Sequence, residues 1–166
     1  MSAWYTIQAR GQKSAEVFIY GDIGRSWNEE SVTAKQFVDE INALDVAAIT
    51  VRINSVGGSV PDGLAIYNAL KRHKATVTTS VDALAASIAS LIAMAGDTVE
   101  IAENALLMIH APWTVAMGNS AALRETADVL DRFAKAMAGA YQRGGQASTE
   151  AILALLTDGT DHWYSA

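Results

Sequence analysis

The sequence predicts an α/β fold in which a mostly parallel sheet is wound with helices. Three observations carry this. Apolar β-branched runs alternate with helix-period segments from Glu16 to Gly96. The runs are separated by short turn signals instead of long linkers. A separate amphipathic stretch from Ser120 to Gln142 is long enough for one extended helix.

Taken in order, "WYTIQ" and "EVFIYGDI" read as strands, rich in aromatic and β-branched residues. "SWNEESVTAKQFVDEINAL" reads as a helix, with Asn28 as its cap and Glu29 and Glu30 in the first turn, where the helix dipole favours acids. Its buried stripe is Phe37, Val38, Ile41 and Leu44. "AAITVRINS" is a strand with Ile49, Val51 and Ile53 on one face. In the helix that follows, Pro61 suits the first position and Ser59 the cap. "ATVTTSV" is the next strand. "AASIASLIAMAG" is the next helix, closed by Gly96. "DTVEIAE" and "NALLMIHAP" give two more strands. The helix from Ser120 to Gln142 carries Leu123, Ala127, Leu130, Phe133, Ala134 and Met137 along one side. "STEAILALLTDG" is a last short helix. The four tryptophans, Trp4, Trp27, Trp113 and Trp163, read as packing residues.

Composition narrows the function. The chain has 166 residues, half of them apolar and 18% charged, which fits one domain with a sizeable core. The net charge of −6 disfavours nucleic acid and anionic membranes, both of which select clustered Lys and Arg. With no cysteine, disulfides, thiolate metal sites and cysteine nucleophiles are excluded. Three scattered histidines lack ligand spacing, so neither a metal nor another cofactor is expected. "MSAWYTIQARGQKSAE" is not a signal peptide, and the longest apolar run, Ala83 to Ala95, is too short to span a bilayer. A cytoplasmic protein is the expectation.

Parallel α/β sheets place their sites in loops after the carboxyl ends of strands. Two such loops stand out, "NSVGGSV" and "DALAAS". The glycine pair permits tight turns and exposes N–H groups near a helix N-terminus, suited to a phosphate or to an acyl-transfer oxyanion. Neither the P-loop nor the GxGxxG pattern is present. Ser87 stands where a helix begins. It is either an N-cap or a nucleophile with the N–H of Ile88 beside it. A serine nucleophile needs a base. His110 follows an apolar strand and ends at the sheet rim, whereas His73 lies on a charged helix end and His162 near the chain end. The five lysines lie in exposed contexts, which disfavours a Ser–Lys pair. Asp97, Asp158 and Asp161 are all candidates to orient the histidine, and spacing does not choose among them.

"INSVGGSV", "ALAASIASLIAMAGD", "NALLMIHAP" and "TDHWYSA", in this order, resemble the proteolytic subunit of the Clp protease, most of all its phage-borne relatives, the head maturation (prohead) proteases. The resemblance covers about Val17 to Ala166. It implies a Clp-protease/crotonase-like fold of βαβ repeats with a protruding long "handle" helix, and serine endopeptidase activity. By the same resemblance the nucleophile is Ser87, the base His110 and the acid Asp161, with Asp158 the runner-up. Gly58 and Ile88 supply the oxyanion N–H groups. The segment after His110 resembles the family's substrate-aligning strand and handle, which implies a homo-oligomer, a ring, acting on protein or peptide substrates such as phage scaffold or capsid protein. The expected setting is the host cytoplasm or an assembling prohead.

Departures from the family pattern shape these expectations. Val56 stands where proline is usual, and Leu84 and Ile88 replace a commoner Gln and Met. The first residues lack the lead-in that forms axial loops, so no unfoldase docking is expected and the activity is expected to be ATP-independent. The chain stops after "YSA", where family members usually continue. The expectation is a single domain over residues 1–166 lacking their C-terminal helix and strand. Two other functions stand beside this one. The first is a crotonase-like acyl-CoA enzyme, for which Asp62 and Asp82 are the only acids in the two site loops. The second is a non-catalytic ring-forming assembly module.

Overall fold

In a computed structural model of the chain, residues 4–11, 13–24, 33–142 and 147–166 are described. The elements are β1 (Tyr5–Arg10), β2 (Ser14–Tyr20), α1 (Ala34–Ala43), β3 (Ala48–Ser55), α2 (Val60–Arg72), β4 (Thr76–Ala86), α3 (Ile88–Ala93), β5 (Thr98–Ile101), β6 (Leu106–Ile109), α4 (Ser120–Tyr141), α5 (Thr149–Thr157) and β7 (His162–Ser165). They fall into two compact units, residues 1–108 with 163–166, and residues 109–162.

The first unit is the expected α/β sheet. Its strand order is β1-β2-β3-β4-β6-β7, with β5 also paired to β4. β1 joins β2 antiparallel at the edge, and the β2, β3, β4, β5 and β6 ladders are parallel. Alternate residues explain the layering. Val17, Ile19, Ile49, Val51, Ile53, Val77 and Val81 are buried, as are Phe37 and Ile41 of α1 and Ile66, Ala69 and Leu70 of α2. Each large side chain so buried contributes about 1.5–3 kcal/mol. The residues between them, Glu16, Thr50, Arg52, Thr78 and Ser80, are half-buried and polar. This sheet therefore keeps the one-sided alternation that buried parallel sheets usually lack.

β4 determines where the site falls. Ile53 pairs with Val81 and Ser55 with Ala85, so the ladder slips between these pairs. The slip carries the end of β4 away from β5, which it meets at Thr78–Val81, and onto β6 at Leu84–Ala86.

Several details differ from the sequence reading. The strand expected to end near Val81 runs through "DALAA" to Ala86. α1 begins at Ala34 on a Thr33 cap, while the expected Asn28 cap and Glu29 and Glu30 lie outside the described residues. Val38 and Leu44 are only half-buried. In α2 Ser59 is the cap as expected, but Val60 precedes Pro61 inside the helix. α3 ends at a right-handed cap on Met94. Gly96 is required for space instead, since a Cβ there would lie 2.6 Å from the Thr79 hydroxyl. Trp4 is buried and stacks on Phe37 at 5.5 Å. Trp113 and Trp163 are 71% and 54% exposed, because one lies on an irregular segment and the other on a four-residue marginal strand, outside the helix-covered core. Trp27 lies outside the described residues.

The second unit contains α4 and α5, which pack on each other. Asn119 caps α4 by accepting the Ala122 N–H at 3.0 Å, and Ser148 caps α5. Ala134, Met137, Ala138, Ile152 and Leu156 are buried. The first half of α4 is not covered: Leu123 and Val129 are exposed. So are Trp113, Val115 and Met117, at alternate positions of the irregular segment before it. No described helix is long and apolar enough to cross a membrane.

Candidate active site

Where β3 ends, buried Ser55 turns the chain. Its hydroxyl donates to the Gly21 carbonyl at 2.6 Å and accepts the Gly57 N–H at 3.1 Å. Gly57 has φ +104 and Gly58 φ +145, values that favour glycine. The Ile23 N–H donates to the Gly57 carbonyl and the Ser59 N–H to the Ile23 carbonyl, an isolated parallel bridge between Ile23 and Gly58. In such a bridge the flanking residues make the bonds. The N–H of Gly58 is directed to the other side of the loop. The other side holds the Ser87 turn, because a Cβ on Gly57 would lie 2.7 Å from the Ser87 Cβ and 2.8 Å from the Ala86 carbonyl oxygen.

Ser87 joins β4 to α3 with φ +53 and ψ −131, and no other described non-glycine residue has positive φ. Ser87 holds the N-cap position of α3, but its side chain makes no capping hydrogen bond. The backbone is held on both sides. The Ser87 N–H donates to the Met108 carbonyl at 2.9 Å, and its carbonyl accepts the Ser90 N–H and hydroxyl at 3.0 and 2.6 Å. A conformation of this kind costs about 1–3 kcal/mol and persists where packing imposes it, most often at functional sites. Ile88, the first residue of α3, is fully buried, and its N–H is one of the helix's first-turn donors.

His110 and Asp161 meet in the second unit, with Nδ1 3.2 Å from Oδ1. An ionised carboxylate only accepts, so this contact favours the tautomer with the proton on Nδ1. His110 is 18% exposed and Asp161 57%.

The other candidates have other partners. Asp158 accepts from Thr160 and His162 (Oδ2 to Nε2 2.8 Å). The Thr160 N–H, then its hydroxyl, then His162 hold the Asp158 carboxyl below its usual range. Asp97 accepts the Val77 N–H at 2.9 Å. His73 caps α2 and its Nδ1 accepts the Ala75 N–H. Asp82 accepts from Arg52 at 2.9 and 2.5 Å and from the Tyr20 hydroxyl at 2.5 Å. Donation to Asp82, with burial adding to it, pushes the Tyr20 hydroxyl up. Sequence reasoning gave His162 no role. The visible signal was "DGTDH", an Asp-Gly turn with a histidine four residues after the first acid.

The Clp protease family model matches residues 1–166. The chain is 32% identical over 126 residues to the ATP-dependent Clp protease proteolytic subunit of Ligilactobacillus salivarius (strain UCC118), a match covering 75% of this chain and 63% of that protein. It is 30% identical over 165 residues to the protein of the same description in Leuconostoc citreum (strain KM20), covering 98% and 81%. The match in Pleurastrum terricola is 33% over 137 residues, covering 78% and 67%.

Proposed function

Because the chain belongs to the Clp protease family, we propose that it is a serine endopeptidase with Ser87 as nucleophile, His110 as base and Asp161 as the acid that orients it. The observation that carries this is the Ser87 backbone, held at φ +53 between strand and helix with a side chain that does not cap. In the reaction, Ser87 Oγ bonds to the scissile carbonyl carbon and its proton passes to His110 Nε2. The tetrahedral oxyanion is held by the N–H groups of Gly58 and Ile88, each donor worth about 3–4 kcal/mol. The C–N bond then breaks, and His110 returns the proton to the leaving amine. Water, deprotonated by the same imidazole, hydrolyses the acyl-enzyme. Asp161 keeps the proton on Nδ1 and stabilises the imidazolium.

The assembly is a homo-oligomeric ring. The stripe side of the first half of α4 supports this reading, since Leu123 and Ala127 on it are exposed and an apolar stripe on a helix is ordinarily covered. The substrate is a phage scaffold or capsid protein, cleaved without ATP in the host cytoplasm or an assembling prohead. This part rests on the motif resemblance.

The test is intact mass after exposure to a fluorophosphonate. One adduct mapping to Ser87, absent from Ser87→Ala and His110→Ala, is expected. An unlabelled wild type overturns the peptidase reading. Cleavage of a co-expressed capsid or scaffold protein under ATP depletion tests the narrower role, and an ATP requirement overturns it.

A further inference from the structure

The acid of the proposed triad is 57% exposed, which is unusual for a group that must hold an imidazole in one tautomer. A carboxylate in water gains little from a single partner and keeps its rotamer freedom. Something else has to fix it, and the loop that carries it shows what does.

Asp158 is the C-cap of α5, in right-handed helical conformation. Gly159 follows at φ +82, with nothing near the place of a Cβ, so the residue type answers to the backbone angle alone. The chain then folds back over Asp158. The Thr160 N–H donates to Asp158 Oδ1 at 2.9 Å, and the Thr160 hydroxyl donates to the same oxygen at 2.9 Å. The other oxygen, Oδ2, takes the His162 ring at 2.8 Å, and the Thr160 hydroxyl lies 3.1 Å from that same Nε2. One carboxylate thus binds the residue before Asp161 and the residue after it. With both neighbours tied to one point, the direction in which Asp161 leaves the backbone is fixed. That direction brings Oδ1 to 3.2 Å from His110 Nδ1.

We propose that Asp158, Thr160 and His162 form a clamp that positions Asp161 against the His110 ring. This rests on the reading of Asp161 as the triad acid. Asp158 and His162 are positioning residues: they touch neither substrate nor the reacting atoms, and act only through Asp161. The second histidine–aspartate pair is thus no alternative triad. It replaces the burial that would otherwise fix an exposed acid.

The test uses the full chain with 15N-labelled histidine, His110 being assigned by its loss in His110→Ala. The variants are Asp158→Asn, Thr160→Val, His162→Leu and His162→Gln, with Asp161→Asn as reference. Two quantities are read, the tautomer of His110 from its ring nitrogen shifts and kcat with KM on a peptide substrate. Asp158→Asn and His162→Leu are expected to lower kcat about 10–100-fold, the usual consequence of a small misplacement near the reacting groups. KM should stay within about twofold, and the Nδ1–H tautomer should lose population. His162→Gln keeps an N–H donor and should recover part of both. Should Asp158→Asn fail to fold, Thr160→Val removes one bond to Asp158 and decides the matter by the same readouts. If Asp161→Asn alters tautomer and kcat while the clamp variants alter neither, the clamp is overturned and the triad stands. If Asp161→Asn leaves kcat unchanged, the triad reading itself fails, and the tautomer still reports whether the clamp holds Asp161.

Discussion

Ser87 is fixed by close packing: Gly57 leaves no room for a Cβ beside it, Ile88 is fully buried, and its backbone is bonded on both sides. His110 and Asp161 are held by a hydrogen bond whose acid is more than half exposed, on a loop secured by other hydrogen bonds. The first arrangement excludes alternatives by sterics and is indifferent to salt and pH. The second is polar and more than half exposed at its acid, so salt screens it. The proposed nucleophile and oxyanion donors thus come ready-made from the sheet, whereas the base and acid depend on a short loop that a few protons or ions can disturb.

The largest expected effect is at the rigid end. Ser87→Ala should lower kcat by about 10⁵-fold or more, the scale of losing a nucleophile, with the melting temperature unchanged or raised. Residual turnover near the wild-type value would break the comparison outright. Next comes Asp161→Asn, for which a loss of about 10³–10⁴-fold follows if the carboxylate sets the tautomer. High salt should weaken wild-type kcat and leave this variant untouched. Gly57→Ala should follow, costing about 10²–10³-fold in kcat through the lost oxyanion geometry. It should also cost about 1–3 kcal/mol of stability from strain at positive φ, read by urea titration. A fully active, stable Gly57→Ala would show that the packing against Ser87 is not needed. The smallest effect is spectroscopic. Asp158 has its pKa lowered on folding, so its contribution is complete above the ordinary carboxylate value of about 3.9 and is lost as pH falls through the depressed folded value. The Thr160 amide resonance should titrate below that ordinary value, and Asp158→Asn should abolish the titration.

Much of the fold was legible because its signals are local. The alternation of Ile49, Val51 and Ile53 along "ITVRI" and the helix cap at Ser59 survive without tertiary context. The continuation of β4 through "DALAA" was hidden, since alanines carry little strand preference and the pairing with β6 imposes it. β7 was missed for the same reason: four residues after a turn become a strand only by pairing at the sheet margin. At the site, residue types singled out Ser87 and His110, whereas Asp161 came only from the resemblance, since spacing left Asp97, Asp158 and Asp161 open. Neither the left-handed backbone of Ser87 nor the service of Asp158 to the loop could be read, because a φ angle and a hydrogen-bond partner are properties of the folded chain. The same limit explains Trp113 and Trp163, whose type suggested packing and whose positions expose them.

One consequence follows from β4. It is laddered on both edges, to β3 on one side and to β5 and then β6 on the other. A doubly paired central strand has no free edge from which to fray, so its amides should be among the slowest to exchange with deuterated solvent, opening only when the whole sheet opens. Ser87 is the next residue in the chain. Its environment should therefore survive warming until global melting, while the loop around Asp161 opens in smaller, earlier excursions. Heat inactivation would then begin well below the melting temperature and reverse fully on cooling, because the part lost first is the part that re-forms within one turn.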